Sequence, residues 1–326
     1  MRLVVVTQAV DRRDPVLGAT VPKLRALAER VDELVVLALR EGEHGLPANV
    51  RVKSIAAPSQ ALRGARFAAA LAPELRRRPV AVLAHMAPIY AVLAAPLARP
   101  VGVPVLLWFT HPRDSRLLRT ATRLSSAVLT VDERSFPFTT PKLRAIGHGI
   151  DVDAFACSNV SDREPLRALS LGRFSRVKRY ELLAAAVARV DGVELELAGP
   201  ALSAADSAYR ASLAVRTLDP VPWSGVPELL RGYDLFLSAT AAGSADKAVY
   251  EAASACLPVL ASSPAFASLL PDELRFETED ELVDRLRALV ALSSHERGAI
   301  GRQLRARVER DHSVDRWAER VLEETR

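Results

Sequence analysis

Short, densely apolar runs alternate along the chain with longer segments in which apolar residues recur every three or four positions. The runs at 3–6 (LVVV), 33–39 (ELVVLAL), 50–55 (VRVKSI), 80–84 (VAVLA), 104–109 (PVLLWF) and 127–131 (AVLTV) have the length and β-branched content of buried strands. Helix-period segments at 18–30, 60–77 and 87–98 fall between most of them. Strand, helix, strand is the rhythm of a parallel sheet covered on both faces, because parallel neighbours need a long crossover. The rhythm then restarts, with strands predicted at 167–172, 193–199, 234–239 and 257–262 and helices at 179–190, 203–214, 246–256 and 294–310. The join, GHGIDVDAFACSNVSDREP at 147–165, is rich in Gly, Asp and Ser and has no periodicity. The pattern predicts an α/β chain of two doubly wound domains facing each other across a cleft, with the boundary after residue 155.

Composition narrows the function classes. The 326 residues contain no apolar run of about 18, so no membrane-spanning helix is expected. The opening MRLVVVTQAVDRRD reads as a first strand rather than a signal peptide. Cys157 and Cys256 are far apart and form no C-x-x-C. They are expected as reduced, buried thiols of a cytosolic protein, with neither a disulfide nor zinc. The net charge of +5 is modest and no nucleic-acid-binding motif accompanies it, so nucleic acid is not an expected partner.

Ligands of doubly wound sheets bind beyond the carboxyl ends of the strands, so the turns that follow strands are where chemistry is sought. The stretch LSLGRFSRVKRYELLAAAV (169–187) runs from a strand through a glycine into a helix and crowds Arg173, Arg176, Lys178 and Arg179 together. Gly172 allows a sharp turn. Arg173 offers a planar fork of donors and Lys178 a mobile point charge, a pair suited to a diphosphate. A solvated basic loop is the alternative. If both cations serve a ligand they repel each other in the empty site, and removing either should leave the unliganded protein as stable or more so. In SATAAGSADKAVYEAASACLPVLAS (238–262) a strand ends at Ser238, a small-residue loop with Gly243 and Ser244 follows, and a helix is expected from near Asp246 to before Pro258. Lys247 falls in the first turn, unfavourable for a cation unless an anion binds there. Glu251 lies one turn on, where it can accept hydrogen bonds from a ribose diol; a surface ion pair with Lys247 is the alternative.

In the first half, His111 within LLWFTHPRDSRLL (106–118) directly follows a strand. It is a candidate donor to a sugar or phosphate, or else a histidine satisfied by backbone. His85 ranks behind it, and His148 in GHGID reads as structural. The loop DRRDPVLGATVPKL (11–24) reaches Gly18, where a ligand can approach the backbone closely. No G-x-G-x-x-G follows any strand and no Walker-type phosphate loop occurs, which argues against a dinucleotide cofactor and against ATP hydrolysis of that kind.

Four segments in order resemble the GT-B fold glycosyltransferases of the GT4 type (glycosyl transferases group 1), over nearly the whole chain and most strongly from Ile146 onward. SLGRFSRVKRYELLAAAV resembles that family's G-R-x-x-x-x-K segment and the helix after it. KAVYEAASACLPVLAS resembles its second glutamate and the E-A-x-A-x-G-x-P-V-x-A pattern. AIGHGIDVDAF resembles its interdomain N-G-V-D-x-x-x-F, and DHSVDRWAERVLEE (311–324) its C-terminal helix. The resemblance implies two Rossmann-like domains: an acceptor-side domain over 1–155, a nucleotide-sugar domain over 156–308, and a helix over 309–326 that packs back on the first domain. It implies a bacterial, cytoplasmic enzyme whose UDP- or GDP-linked donor is a co-substrate, with no cofactor. Arg173 and Lys178 would hold the diphosphate, Glu251 the ribose, and backbone N–H groups near Lys247 and Ala248 a phosphate. Gly18 would let the first loop near the diphosphate, and His111 would face the transferred sugar.

Transfer with retention and no assigned general base is implied as well. Because Arg173, Lys178 and a helix N-terminus offer fixed positive charge, metal-independent transfer is expected; the only D-x-D, at Asp151 and Asp153, reads as structural. The family's glutamate eight residues before Glu251, which binds sugar hydroxyls, is Gly243 here, so Asp246 or Lys247 is left to substitute, or the sugar is held differently. The acceptor is unidentified. Residues 59–79, an apolar helix with a cationic rim at Arg76, Arg77 and Arg78, could rest on an anionic membrane and meet a lipid-linked acceptor, or simply pack on the sheet. Glycolipid, surface polysaccharide and natural-product synthesis all fit. The rival readings are a non-catalytic sugar-nucleotide-binding protein, and an epimerase or phosphorylase of the same fold.

Overall fold

The computed structural model describes residues 1–157 and 162–326. The chain divides into two compact units, one of Met1–Gly149 with Val314–Arg326, the other of Ile150–Ser313. The sequence placed these divisions after 155 and after 308; the chain leaves each unit at Gly149/Ile150 and Ser313/Val314 instead.

The first unit holds a seven-stranded parallel sheet of β1 (Arg2–Val10), β2 (Glu33–Glu41), β3 (Val50–Ser54), β4 (Val82–His85), β5 (Val105–Trp108), β6 (Ala127–Thr130) and β7 (Leu143–Ala145), in the order β3-β2-β1-β4-β5-β6-β7. Its helices are α1 (Thr20–Ala28), α2 (Gln60–Arg76), α3 (Pro88–Ala98), α4 (Arg116–Leu124) and, from the end of the chain, a helix at Val314–Glu323. Strand β1 buries residues on both faces, as a central strand under two helical layers must. On one face Val4, Val6, Val35 and Leu37 share a core with Phe67, Leu71 and Leu75 of α2 and with Tyr90 and Ala94 of α3. Phe67, Leu71 and Leu75 of α2 are therefore committed to this core, while Leu62, Ala65, Ala69 and Arg76 of the same helix face outward. Among the described residues no helix is long and apolar enough to cross a membrane.

The C-terminal helix joins this unit through Trp317, whose ring meets Trp108 edge-on at 5.6 Å. The Lys23 ammonium of α1 lies over both indoles, 5.0 Å from Trp108 and 5.3 Å from Trp317. Arg30 binds Asp315 at 2.8 Å at the rim.

The second unit holds β8 (Leu166–Leu171), β9 (Val193–Ala198), β10 (Arg216–Leu218), β11 (Leu235–Ser238) and β12 (Val259–Ala261), all parallel, in the order β10-β9-β8-β11-β12. Helices α5 (Tyr180–Val187), α6 (Ala204–Ala211), α7 (Val226–Arg231), α8 (Lys247–Ser254), α9 (Glu279–Ala291) and α10 (Ser294–His312) flank it, and the helix at Val314–Glu323 is α11. The order reverses between β8 and β11 here, and between β1 and β4 in the first unit. These are the switch points at which such sheets bind ligands.

One expectation is overturned. Cys157 and Cys256 are joined as a disulfide, not held as separate thiols. Ninety-nine positions separate them, but the end of α8 and the segment after Phe155 meet on α10. There Arg305 also bonds to the carbonyls of Phe155 and Ser254. Gly301 of α10 fits against this corner only because it lacks a side chain: a Cβ would lie 1.7 Å from the Cys256 carbonyl oxygen. Main chain cannot swing aside as a side chain can, so Gly301→Ala should destabilise the fold by about 1–3 kcal/mol. Gly64, inside α2, has as its nearest neighbour Leu93 Cδ1 at 3.8 Å from the same constructed position. Gly64→Ala should stabilise by about 0.4–1 kcal/mol, through the lower entropy of its unfolded chain. Urea denaturation of both variants checks the opposite signs.

Candidate active site at the β8 and β11 strand ends

Two turns meet at the β8/β11 switch point. After β8 the chain passes Gly172 (φ +154°), whose Cβ would fall 2.6 Å from Nζ of Lys178, so a glycine is needed for the lysine to fold back over the strand end. The Gly172 carbonyl itself lies against Gly199, after β9, where a Cβ would approach that oxygen to 2.1 Å. Tyr180 Oη donates to the same carbonyl at 2.9 Å. Burial, then the Asp246 carboxylate and Tyr209, hold the Tyr180 phenol well above its usual range, so it stays a donor.

Residues Arg176–Lys178 form a single 3-10 turn, and Arg179 follows in the left-handed region at φ 46°, ψ 47°. Its guanidinium is structural: Nε donates to the Ala239 carbonyl at 2.7 Å and an NH2 to Ser262 Oγ at 2.9 Å, tying the start of α5 to the ends of β11 and β12. Lys178 forms an ion pair with Asp246. Arg173 is exposed, and among the described residues its guanidinium has no hydrogen-bond or ion-pair partner. The expected repulsion between two unbalanced cations is therefore corrected: Asp246 neutralises one of them.

After β11 the loop turns through Gly243 at φ +82° and enters α8 at Lys247. Asp246 occupies the N-cap position, yet its side chain makes no capping hydrogen bond. The Val249 N–H bonds to the Asp246 carbonyl at 3.2 Å, and among the described residues the N–H groups of Lys247 and Ala248 are left for another acceptor. Glu251 is not in a surface ion pair. It is only 2% exposed; its Oε1 accepts from the Trp223 indole N–H at 2.7 Å and lies 3.3 Å from Lys247 Nζ. Oε2 makes no hydrogen bond among the described residues. Nothing in the local sequence announced Trp223, which lies before α7 and reaches Glu251 only through the fold.

The structure thus gathers Arg173, Lys178, Lys247, Ala248 and Glu251 on the turns around one switch point. His111 and Gly18 lie in the first unit. His111 is exposed after β5, its Nδ1 accepting from Arg113 N at 3.0 Å. Gly18 is buried between β1 and α1, in a turn organised by Asp14, whose carboxylate accepts from the Val16 and Leu17 amides. Burial works against ionising Asp14, but these two amides and Arg40 outweigh it and hold its carboxyl below the usual range. His85 ends β4 at the first unit's own switch point, 3.2 Å from Thr7 Oγ1 and stacked beside Trp108. Burial, and secondarily Lys23, hold its pKa well below the ordinary value, so it is a neutral core residue.

Losing Lys178 would strand a partly buried carboxylate, whereas losing Arg173 breaks nothing. In urea denaturation without ligand, Lys178→Ala should cost about 1 kcal/mol and Arg173→Ala less than about 0.5 kcal/mol. Equal losses would mean that Arg173 also supports the fold.

Residues 176–323 match the family described as glycosyl transferase-like. No curated protein sequence matches the chain. Among solved structures, Anabaena HepE in complex with UDP and glucose is similar at 16% identity, with 99% of this chain and 98% of that one covered and a TM-score of 0.77. Sucrose-phosphate synthase from Thermosynechococcus elongatus is similar at 14% identity over 99% and 98%, with a TM-score of 0.76. A trehalose-6-phosphate synthase studied for glycosyltransfer with retention is similar at 13% identity over 100% and 99%, with a TM-score of 0.71. The matched segment and the shared two-sheet fold bear out the resemblance to GT-B glycosyltransferases of the GT4 type.

Proposed function

We propose that the chain is a glycosyltransferase that moves a sugar from a nucleoside-diphosphate donor, UDP- or GDP-linked, to an acceptor. The observation that carries this is the switch point between β8 and β11. An arginine with no partner among the described residues, a lysine folded over a glycine and a helix N-terminus that its N-cap aspartate leaves uncapped lie on the turns of one switch point, an arrangement that suits a diphosphate. The HepE complex with UDP and glucose supports the same ligand class.

In this reading Arg173, Lys178 and the N–H groups at Lys247 and Ala248 bind the diphosphate. They also stabilise the negative charge that grows on it as the glycosidic bond breaks. Glu251, fixed through Oε1 by Trp223, presents Oε2 to the ribose hydroxyls. His111 and Gly18 are proposed contributors from the first unit, to the sugar and to the diphosphate respectively. Retention of configuration is part of the proposal, supported by the similar trehalose-6-phosphate synthase. So is metal-independence, since fixed cations and backbone dipoles already meet the leaving group. A membrane-linked acceptor belongs to the proposal too: beside Arg66 and Arg76, α2 exposes Leu62, Ala65 and Ala69.

A second reading has one specific observation behind it. Gly243 has no side chain where the resemblance implies a sugar-binding glutamate, as a non-catalytic sugar-nucleotide-binding protein would allow. Slow hydrolysis of UDP- or GDP-sugars by the purified protein separates the two, since a binding module releases no sugar.

Titration calorimetry with UDP and GDP should show binding of at least one. Glu251→Ala should weaken it about tenfold or more, the worth of hydrogen bonds to a charged group; unchanged affinity with the fold intact would remove Glu251 from the site. Donor turnover should survive excess EDTA. If chelation abolishes it and magnesium or manganese restores it, the fixed-cation mechanism is wrong.

A further inference from the structure

Aspartate is among the best N-cap residues because its carboxylate accepts from the first-turn N–H groups. Asp246, at the N-cap of α8, does not do this. Its Oδ2 is turned instead to the Lys178 ammonium and to the Thr240 hydroxyl, at 3.2 Å from the latter. Thr240 is buried and is itself hydrogen-bonded to Ser238 at 3.0 Å. A carboxylate is thus held in place, with its side chain 16% exposed, beside the cation that the proposed diphosphate would take. It forgoes the cap that would have closed the helix N-terminus to an anion.

We infer that Asp246 is a donor-sugar specificity residue: it accepts a hydrogen bond from a hydroxyl of the transferred sugar and disfavours the free nucleoside diphosphate left after transfer. This rests on reading the β8/β11 switch point as a sugar-nucleotide site. A carboxylate in hydrogen-bond reach of the ammonium that grips the sugar-linked phosphate is close to the sugar ring, and Gly243 offers no competing side chain. In the intact donor that phosphate is joined by an ester to the sugar and by an anhydride to the other phosphate, so it carries a single charge, and the ring carries hydroxyls to donate. After transfer its terminal oxygen is free and ionises again with a pKa of about 6. The hydroxyls are gone and a second charge faces the carboxylate, so like charges meet where a hydrogen bond had been. The same residue favours the donor and speeds departure of the product.

The test is calorimetry on the wild type, Asp246→Asn and Thr240→Val with UDP, UDP-glucose, GDP and GDP-mannose. In Asp246→Asn the free diphosphate should bind about tenfold more tightly and the matching sugar nucleotide no more tightly. The preference for donor over product should fall at least tenfold. Thr240→Val, which keeps the charge but removes one support, should weaken only the sugar nucleotide. Equal shifts for both ligands in Asp246→Asn would overturn the sugar role. If melting shows that Asp246→Asn does not fold, Thr240→Val decides, and an unchanged preference there overturns it. A wild type that binds none of the four ligands overturns the sugar-nucleotide reading of the site and this inference with it, whereas wild-type binding with equal shifts sinks this inference alone.

Discussion

A lysine ammonium that is largely withdrawn from water at a strand end needs a counter-charge, whereas an exposed arginine does not. The Lys178–Asp246 ion pair supplies that charge. It lets a lysine sit folded over Gly172 next to a helix N-terminus whose own partial charge is positive. The carboxylate could have relieved the helix instead, by capping it. Turning to the lysine leaves the helix end open and Lys178 oriented. The surrounding geometry follows from that choice. Gly172 must lack a side chain, Tyr180 must hold the Gly172 carbonyl, and Thr240 must fix the carboxylate. Arg179, despite its position among the cations, is needed as a tie between strand ends.

The division of labour among basic residues is decided by contacts that charge alone does not reveal. Arg173, Arg176, Lys178 and Arg179 look equivalent in the sequence. Among the described residues one is without a partner, one lies over the Tyr209 ring at 5.3 Å, one is ion-paired and one is a structural brace. Lys247 and Glu251 undergo a similar sorting. Their spacing is that of a surface pair, but burial and the Trp223 indole make Glu251 a fixed acceptor with one oxygen in use.

Much of the fold was legible because central strands of parallel sheets must be apolar on both faces. Nearly every β-branched run became a strand, and the turns after β8 and β11 were found for the same reason. What escaped was short or was signalled by other chemistry. β7 and β10 have three residues each, too few to show a period. Helix α9 carries a capping box, Thr278 with Glu281, and α4 a Ser115 cap, signals of helix starts that apolar periodicity does not contain. Trp223 as the partner of Glu251 and Cys256 as the partner of Cys157 are products of chain crossings. No local pattern specifies which distant segment arrives at a strand or helix end. His85 was ranked below His111, although it lies at the switch point of its sheet; only burial shows it to be a neutral packing residue.

The docking of α11 beside Trp108 and Lys23 also sets an order of events during synthesis. The first unit is discontinuous: residues 1–149 leave the ribosome well before Trp317 does, with the whole second unit made in between. Until the last helix emerges, the indole of Trp108 lacks its edge-on neighbour and the Lys23 ammonium has one aromatic face instead of two. Domains made first usually complete first. This chain reverses that order, so the nascent protein carries an unfinished apolar patch on its first unit for as long as its second takes to be made.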